Sequence, residues 1–222
     1  MREQFFRRII PAVFILLVCG CKTTGSAIKS APLGNGFSIS NEKIYHLDGT
    51  FMEHLTLPVV ASINGIIIAN GAIEDGKLSI DIPASSGEYP ELQNDNDMAM
   101  QFTLLPDDLM TGTLELSSIM DGNRVIIKNC EYNTQYQTLT NIVSYVYAST
   151  EAEITGMYRE TEYESGNPVH LIKNASIHYL PGWNRLNTRL TFSAADAENN
   201  MYIALTTDSV KAKNKWYIAL EE

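Results

Sequence analysis

The chain has 222 residues, 19% of them charged, and a formal net charge of −10. That length suits one large domain or two small ones. An acidic surface repels polyphosphate backbones and anionic head groups, which excludes nucleic-acid binding and leaves charge unable to hold the chain on a membrane.

The first segment has the three-part layout of an export signal. Arg2, Arg7 and Arg8 give a positive start, and Ile9 to Val18 is an uncharged apolar run. A spanning helix needs about 20 apolar residues, so this run is too short to remain as one. It ends in Val18-Cys19-Gly20-Cys21.

Those four residues resemble the lipobox of bacterial lipoproteins: an aliphatic residue, a small one, Gly or Ala, then Cys. The resemblance implies a diacylglyceryl thioether on Cys21 and removal of residues 1–20. Cys19 stands where the family more often has Ala, Ser or Thr. It is a poor acceptor itself, because Val18 before it is too bulky for the usual processing site. An ordinary secretory signal with a chance cysteine is the plain alternative. One acyl chain binds a bilayer marginally and stable anchoring takes two signals, so a doubly acylated cysteine supplies both. In two-membrane bacteria an Asp after the cysteine tends to retain such proteins at the inner membrane. Lys22 stands there, which implies a cell-envelope protein of the outer membrane.

Removal of residues 1–20 would leave 202 of the 222 residues. The lost segment carries Arg2, Arg7 and Arg8 against Glu3, a net +2, so −10 becomes −12. With Cys19 gone and Cys21 a thioether, Cys130 is left alone and no intramolecular disulfide is expected despite export. It ends the strand-like run Val125 to Asn129 and reads as a buried structural thiol.

Residues 21–35 are small, polar and without period, the composition of a flexible tether. Ser26-Ala27-Ile28-Lys29 matches the Ser-x-x-Lys of penicillin-recognising enzymes. It opens no helix and has no Ser-Asp-Asn or Lys-Thr-Gly partner, so it is read as chance.

From residue 36 to 222 the signals are those of strands. Leu78, Ile80 and Ile82 alternate with Lys77, Ser79 and Asp81. Asp75-Gly76 opens this strand as a tight turn, and Pro83 closes it. Asp48-Gly49, Asn64-Gly65, Asn70-Gly71 and Asp121-Gly122 are similar turn pairs. The three between 64 and 76 crowd too closely for three hairpins, so Asn70-Gly71 is expected to be a bulge. Strands are expected over Leu55–Val60, the buried-looking Ile66–Ile68, Met98–Leu104, Leu114–Ile119, Arg124–Cys130, Leu139–Ala148 and Ala152–Tyr158. Four more follow over Val169–Leu180, Arg185–Phe192, Met201–Thr206 and Lys215–Leu220. Pro83 to Met98 reads as a polar loop and Glu160 to Gly166 as an acidic turn. Pro106 to Leu109 and Ser193 to Glu198 read as single helical turns.

Many short strands with regular turns indicate an all-β sandwich or barrel. The uneven strand lengths favour a β-sandwich of immunoglobulin-like or transthyretin-like type. A division near residues 106–112 would make it two packed sub-sandwiches. The stretch Gly71 to Pro83 resembles a "GKLS" strand of uncharacterised spirochaete lipoproteins. So do Tyr145 to Ser149 with Ile154-Thr155-Gly156, and the turn Leu180-Pro181-Gly182-Trp183-Asn184. The resemblance implies fold and class and brings no catalytic residue with it. The Gly-Lys-Leu-Ser-Ile strand also resembles transthyretin-like sandwiches, at the level of fold alone.

No constellation in the sequence demands chemistry. His170 and His178 stand eight apart on one expected strand, about 27 Å at roughly 3.4 Å per residue, too far to share a metal. His46 and His54 have no ligand spacing either, so no metal or cofactor is expected. Asn94 to Asp97 resembles a calcium loop. Counted from Asp95, an EF-hand needs Gly and Glu where Met100 and Pro106 stand. A looser site with Glu88 or Glu91 is the alternative to a solvated loop. Nucleophile and nucleotide-binding motifs are missing, so an enzyme is not expected. Tyrosines are numerous and suit strands. Trp183, at a Pro-Gly turn, is either a plug over the end of the fold or an exposed ligand-binding anchor for a sugar or partner. The plug is favoured, since Trp is so often largely buried.

The expected function is a lipid-anchored binding or adhesion module of the cell envelope, for a glycan or protein ligand. The alternatives are an accessory lipoprotein docking on another envelope protein, and a carboxylate-dependent hydrolase whose acids meet only in the fold.

Overall fold

The computed structural model describes residues 33–84, 92–94, 101–106, 108–133, 138–164, 167–192, 200–207 and 214–220. Fourteen strands are described: β1 Phe37–Tyr45, β2 Leu57–Ile63, β3 Ile66–Glu74, β4 Lys77–Ile82, β5 Gln93–Asn94, β6 Thr103–Leu105 and β7 Met110–Met120; then β8 Asn123–Asn133, β9 Thr138–Ala148, β10 Ala152–Glu164, β11 Asn167–Tyr179, β12 Gly182–Phe192, β13 Asn200–Thr206 and β14 Lys215–Leu220. The protein is all-β.

Hairpins form where the sequence supplies residues that tolerate positive φ at both turn positions. Asn64-Gly65, Asp75-Gly76 and Asp121-Gly122 have φ of 48° and 83°, 48° and 71°, and 52° and 80°. They join β2 to β3, β3 to β4 and β7 to β8. β4 follows its alternation, burying Leu78, Ile80 and Ile82 and exposing Lys77, Ser79 and Asp81.

All fourteen strands share one hydrogen-bonded sheet. Within it, pairing can be followed from β1 through β4, β3, β2, β7, β8 and β14 back to β1. Direction cannot alternate all the way round seven strands, so one pair must be parallel. That pair is β1–β14, with Ile44 opposite Trp216 and Tyr45 opposite Tyr217. One buried cluster draws on every strand of the circuit, including Ile44, Leu78, Ile73, Ile63, Leu116, Val125 and Ile218. The remaining long strands run β9, β12, β13, β11, β10, ending in short β6. They carry a second core around Ile154, Ile177, Tyr179 and Leu205. A third, smaller cluster of Cys130, Ile142, Leu190, Ile203 and Tyr217 joins the two groups.

β7, β8 and β9 connect the groups, and each pairs antiparallel with the other two. Three straight strands cannot all be mutually antiparallel, because the third must match one of the first two. Each strand therefore changes neighbour part-way. β7 leaves β8 at Leu116 and meets β9 from Thr113 to Thr111. β9 leaves β8 near Val143, where the register shifts and Asn141 takes φ of 39°. An extra residue in a bulge gives the bend that such a junction needs.

Several expectations are corrected. Asn70-Gly71 lies inside β3, and the register slips earlier, where Ala61–Ala69 gives way to Ser62–Ile67. Gly71 serves close approach: a Cβ there would stand 2.5 Å from the Ser79 oxygen. Ile66 and Ile67 are 53% and 57% exposed: they pair with Ile63 and Ser62 of β2, but the β3–β4 ladder runs only from Glu74 to Gly71 and does not reach them. The strand expected over Met98–Leu104 is found only at Thr103–Leu105, its start lying outside the described residues. Pro106, Asp108 and Leu109 form no helical turn, and Leu109 goes into the second core. Glu160 to Glu164 is strand, since cross-strand pairing with β11 continues to Glu164–Asn167. The helical turn expected over Ser193 to Glu198 lies outside the described residues. So does most of the loop Pro83 to Met98, within which Gln93–Asn94 pairs with β7.

Candidate functional site

Trp183 sits where the N-terminal segment joins the body. β12 pairs with β9 from Gly182–Ala148 onward but meets β13 only from Asn187. The first residues of β12 thus have a second edge to fill, and Leu33-Gly34 fills it. The Leu33 N–H donates to the Trp183 carbonyl at 3.0 Å, and the Trp183 N–H donates to the Gly34 carbonyl at 2.8 Å. Leu33 packs against the first core. Leu33 and Gly34, inside the stretch read as tether, therefore belong to the domain.

The Pro-Gly-Trp-Asn turn is built to present that edge. Gly182 has φ of 96°, and a Cβ would stand 2.7 Å from the Gly34 oxygen. Asn184 holds the turn with its amide: Nδ2 donates to the Leu180 and Gly182 carbonyls at 2.7 and 2.9 Å, and Oδ1 accepts from the Leu180 N–H at 2.9 Å. An amide is the side-chain group that donates and accepts in one plane.

Trp183 itself is 0% exposed. Its ring meets Tyr147 edge-on at 5.4 Å and Phe37 at 5.6 Å. Phe37 stacks on Tyr145 at 4.8 Å, and Tyr145 lies parallel to Trp216 at 6.2 Å. Arg185 lies over the Tyr145 ring at 6.0 Å. Burial raises the Tyr145 phenol pKa, the Arg185 charge opposes the rise and Glu42 adds to it. Of the two expectations for Trp183, this geometry matches the buried plug; no face of the indole is left for a ligand.

A buried cation lies in the second group of strands. On β11, Leu171, Lys173, Ala175, Ile177 and Tyr179 share one buried face. Lys173 is 2% exposed there, its Nζ 2.8 Å from Glu160 Oε2 and 5.2 Å from the centre of the Tyr158 ring. Sequence reading missed it, although a lysine in an otherwise apolar alternating row was the available signal.

The histidines are dispersed. His178 is buried, its Nε2 2.9 Å from Glu151 Oε1 and its backbone N–H on Thr207 Oγ1. His170, on the same strand, meets Thr161 at 2.9 Å. His46 and His54 are exposed, and His46 stands 3.5 Å from Asp48. Backbone and side-chain hydrogen bonds from Thr50 hold Asp48 below its usual carboxylate range. Among the described residues no group of three or more His, Cys, Asp or Glu could hold a metal. Glu88, Glu91, Asp95 and Asp97 of the looser calcium reading, Ser26 to Lys29 and Cys21 lie outside the described residues. Cys130 is a buried free thiol, and burial pushes its pKa up to about 12 against the pull of Lys128. A thiol held neutral is no nucleophile.

No protein-family model, curated protein or solved structure matches the chain.

Proposed function

We propose that the chain is a lipid-anchored protein of a bacterial cell envelope, acylated at Cys21, whose β-rich body is a binding or adhesion module. The observation that carries the reading is Val18-Cys19-Gly20-Cys21 at the end of an uncharged apolar run. Two features of the body are consistent with it. Leu33, twelve residues after Cys21, is held to the body by backbone hydrogen bonds to Trp183. The described residues form three apolar clusters, the smallest of which holds a neutral, buried thiol, which suits a body stabilised without disulfides. For the architecture, the β-sandwich layering expected over residues 36–222 is proposed for the body.

Cys21→Ser in the native host should abolish fatty-acid labelling and release the protein from membranes. Labelling that persists would refute the anchor. The soluble body, residues 33–222, should bind a saturable ligand on a glycan and matrix-protein array. A blank on both would refute the binding role and leave the anchor standing.

A further inference from the structure

We infer that the tip of the β2–β3 hairpin is a second membrane contact, an apolar foot that sets which end of the body rests on the bilayer. The inference rests on the lipid-anchor reading and adds an orientation to it.

Bare apolar side chains stand directly beside the turn at the tip. Ile66 and Ile67 follow the Asn64-Gly65 turn and are 53% and 57% exposed. From Leu55 to Ile73 there is no Asp, Glu, Lys or Arg, in a chain that is 19% charged. Elsewhere on this acidic body charge opposes approach to anionic head groups. Here an uncharged strand pair is combined with two bare isoleucines.

The tip also lies on the side from which the anchor leaves. Gly34 bridges Trp183, Trp183 faces Tyr147, and Tyr147 faces Gly112 of β7. At Gly112 the Ile63 side chain packs so closely that a Cβ would meet it at 2.6 Å. Ile63 is the last residue before the turn. Four strand spacings of about 4.8 Å put the hairpin roughly 20 Å across the sheet from the tether's attachment. The twelve residues from Cys21 to Leu33 reach at most about 43 Å when fully extended. The hairpin can therefore meet the surface that the acyl chains enter. The Asp121-Gly122 turn, at the other end of β7, is charged and lies about 30 Å further along at ~3.4 Å per residue.

Two side chains on a tight turn are too small for a stable protein interface, which buries about 800 Å² on each partner. They suit the boundary between head groups and acyl chains, where the exposed Asn64 and Asn70 keep water and head-group contacts while the isoleucines leave water.

The test uses the full acylated chain with Ile67→Cys or Asp121→Cys carrying an environment-sensitive fluorophore; Cys130 is buried and stays unlabelled under native conditions. Reconstituted in phosphatidylcholine vesicles, the probe at 67 should shift to the blue, brighten several-fold and be quenched by lipids bearing a nitroxide near the head group. The probe at 121 should behave as in lipid-free protein. A floating, acylated chain whose probe at 67 stays in water overturns the foot and leaves the anchor intact. A chain that carries no acyl group and does not float overturns the anchor and the foot together. A blue shift without vesicles that grows with protein concentration assigns the tip to a second copy of the chain and overturns the proposal.

Discussion

Gly34 and Trp183 form an isolated antiparallel bridge, 149 positions apart in a chain numbered to 222, with the Trp183 N–H donating to the Gly34 carbonyl at 2.8 Å. Leu33 and Gly34 thus belong to the fold. A chain beginning at Leu33 should be as stable as one that keeps the residues before it. A chain beginning at Phe37 loses two backbone hydrogen bonds and the packing of Leu33. It should be less stable by about 1–3 kcal/mol, at 0.5–1.5 kcal/mol per net hydrogen bond. Denaturant titration of the two bodies measures the difference; equal midpoints would show that the bridge contributes nothing.

Gly182→Ala puts a methyl group against the same bridge. The backbone there has φ of 96° and the new Cβ would stand 2.7 Å from the Gly34 oxygen. Gly49 is also left-handed, at 89°, but has open space around it. Gly49→Ala should cost about 1 kcal/mol and Gly182→Ala about 2–4 kcal/mol, since the strain of the conformation and the displaced strand add. Thermal melts of both variants give the ranking, and a reversed order would contradict it.

Lys173 and Glu160 should respond unequally to substitution. The lysine is 2% exposed and the glutamate 31%. Glu160→Ala leaves a buried ammonium without its partner and should cost about 1–3 kcal/mol, less than for a fully buried pair because water reaches the carboxylate side. Lys173→Met replaces the cation with an apolar chain in an apolar row and should be neutral or stabilising. The double variant should recover most of the loss. A Lys173→Met chain as weak as Glu160→Ala would show that the ammonium itself is needed.

Cys130 supplies a pH dependence of definite sign. Burial raises its thiol from 9.0 to about 12. The unfolded thiol ionises above about pH 9 while the folded one keeps its proton. Its contribution to stability is thus complete below pH 9 and is lost as pH rises toward 12. Burial raises Tyr217 and Tyr145 in the same direction. Cys130→Ala should therefore lessen the alkaline fall without removing it. At pH 8 the native thiol should resist a thiol reagent that labels the unfolded chain at once; rapid native labelling would contradict its burial.

Strands and tight turns were legible where local physics decides them. Lys77 to Ile82 alternates, so its faces could be read directly, and Asp75-Gly76, Asn64-Gly65 and Asp121-Gly122 supply the φ that two-residue hairpins need. Lys215 to Leu220 was also bounded correctly. Closure of the circuit was not legible. It depends on Ile44 meeting Trp216 in a parallel pair, which no local pattern announces. Leu33-Gly34 looked like tether because its hydrogen bonds to Trp183 are made by backbone groups, which leave no mark in the sequence. Ile66 and Ile67 looked buried because an apolar run carries no mark of where its pairing with β4 stops. For Trp183 the turn motif gave the position, and the rings of Tyr147 and Phe37, distant in sequence, decide its burial.

The anchor is most directly tested by the mass of the N-terminal peptide of the protein purified from membranes of its own host. A peptide beginning at Cys21 and heavier by a diacylglyceryl group, alone or with an amide-linked acyl chain, is the predicted result. A peptide beginning at any other residue, or one beginning at Cys21 with a free thiol, would contradict the account.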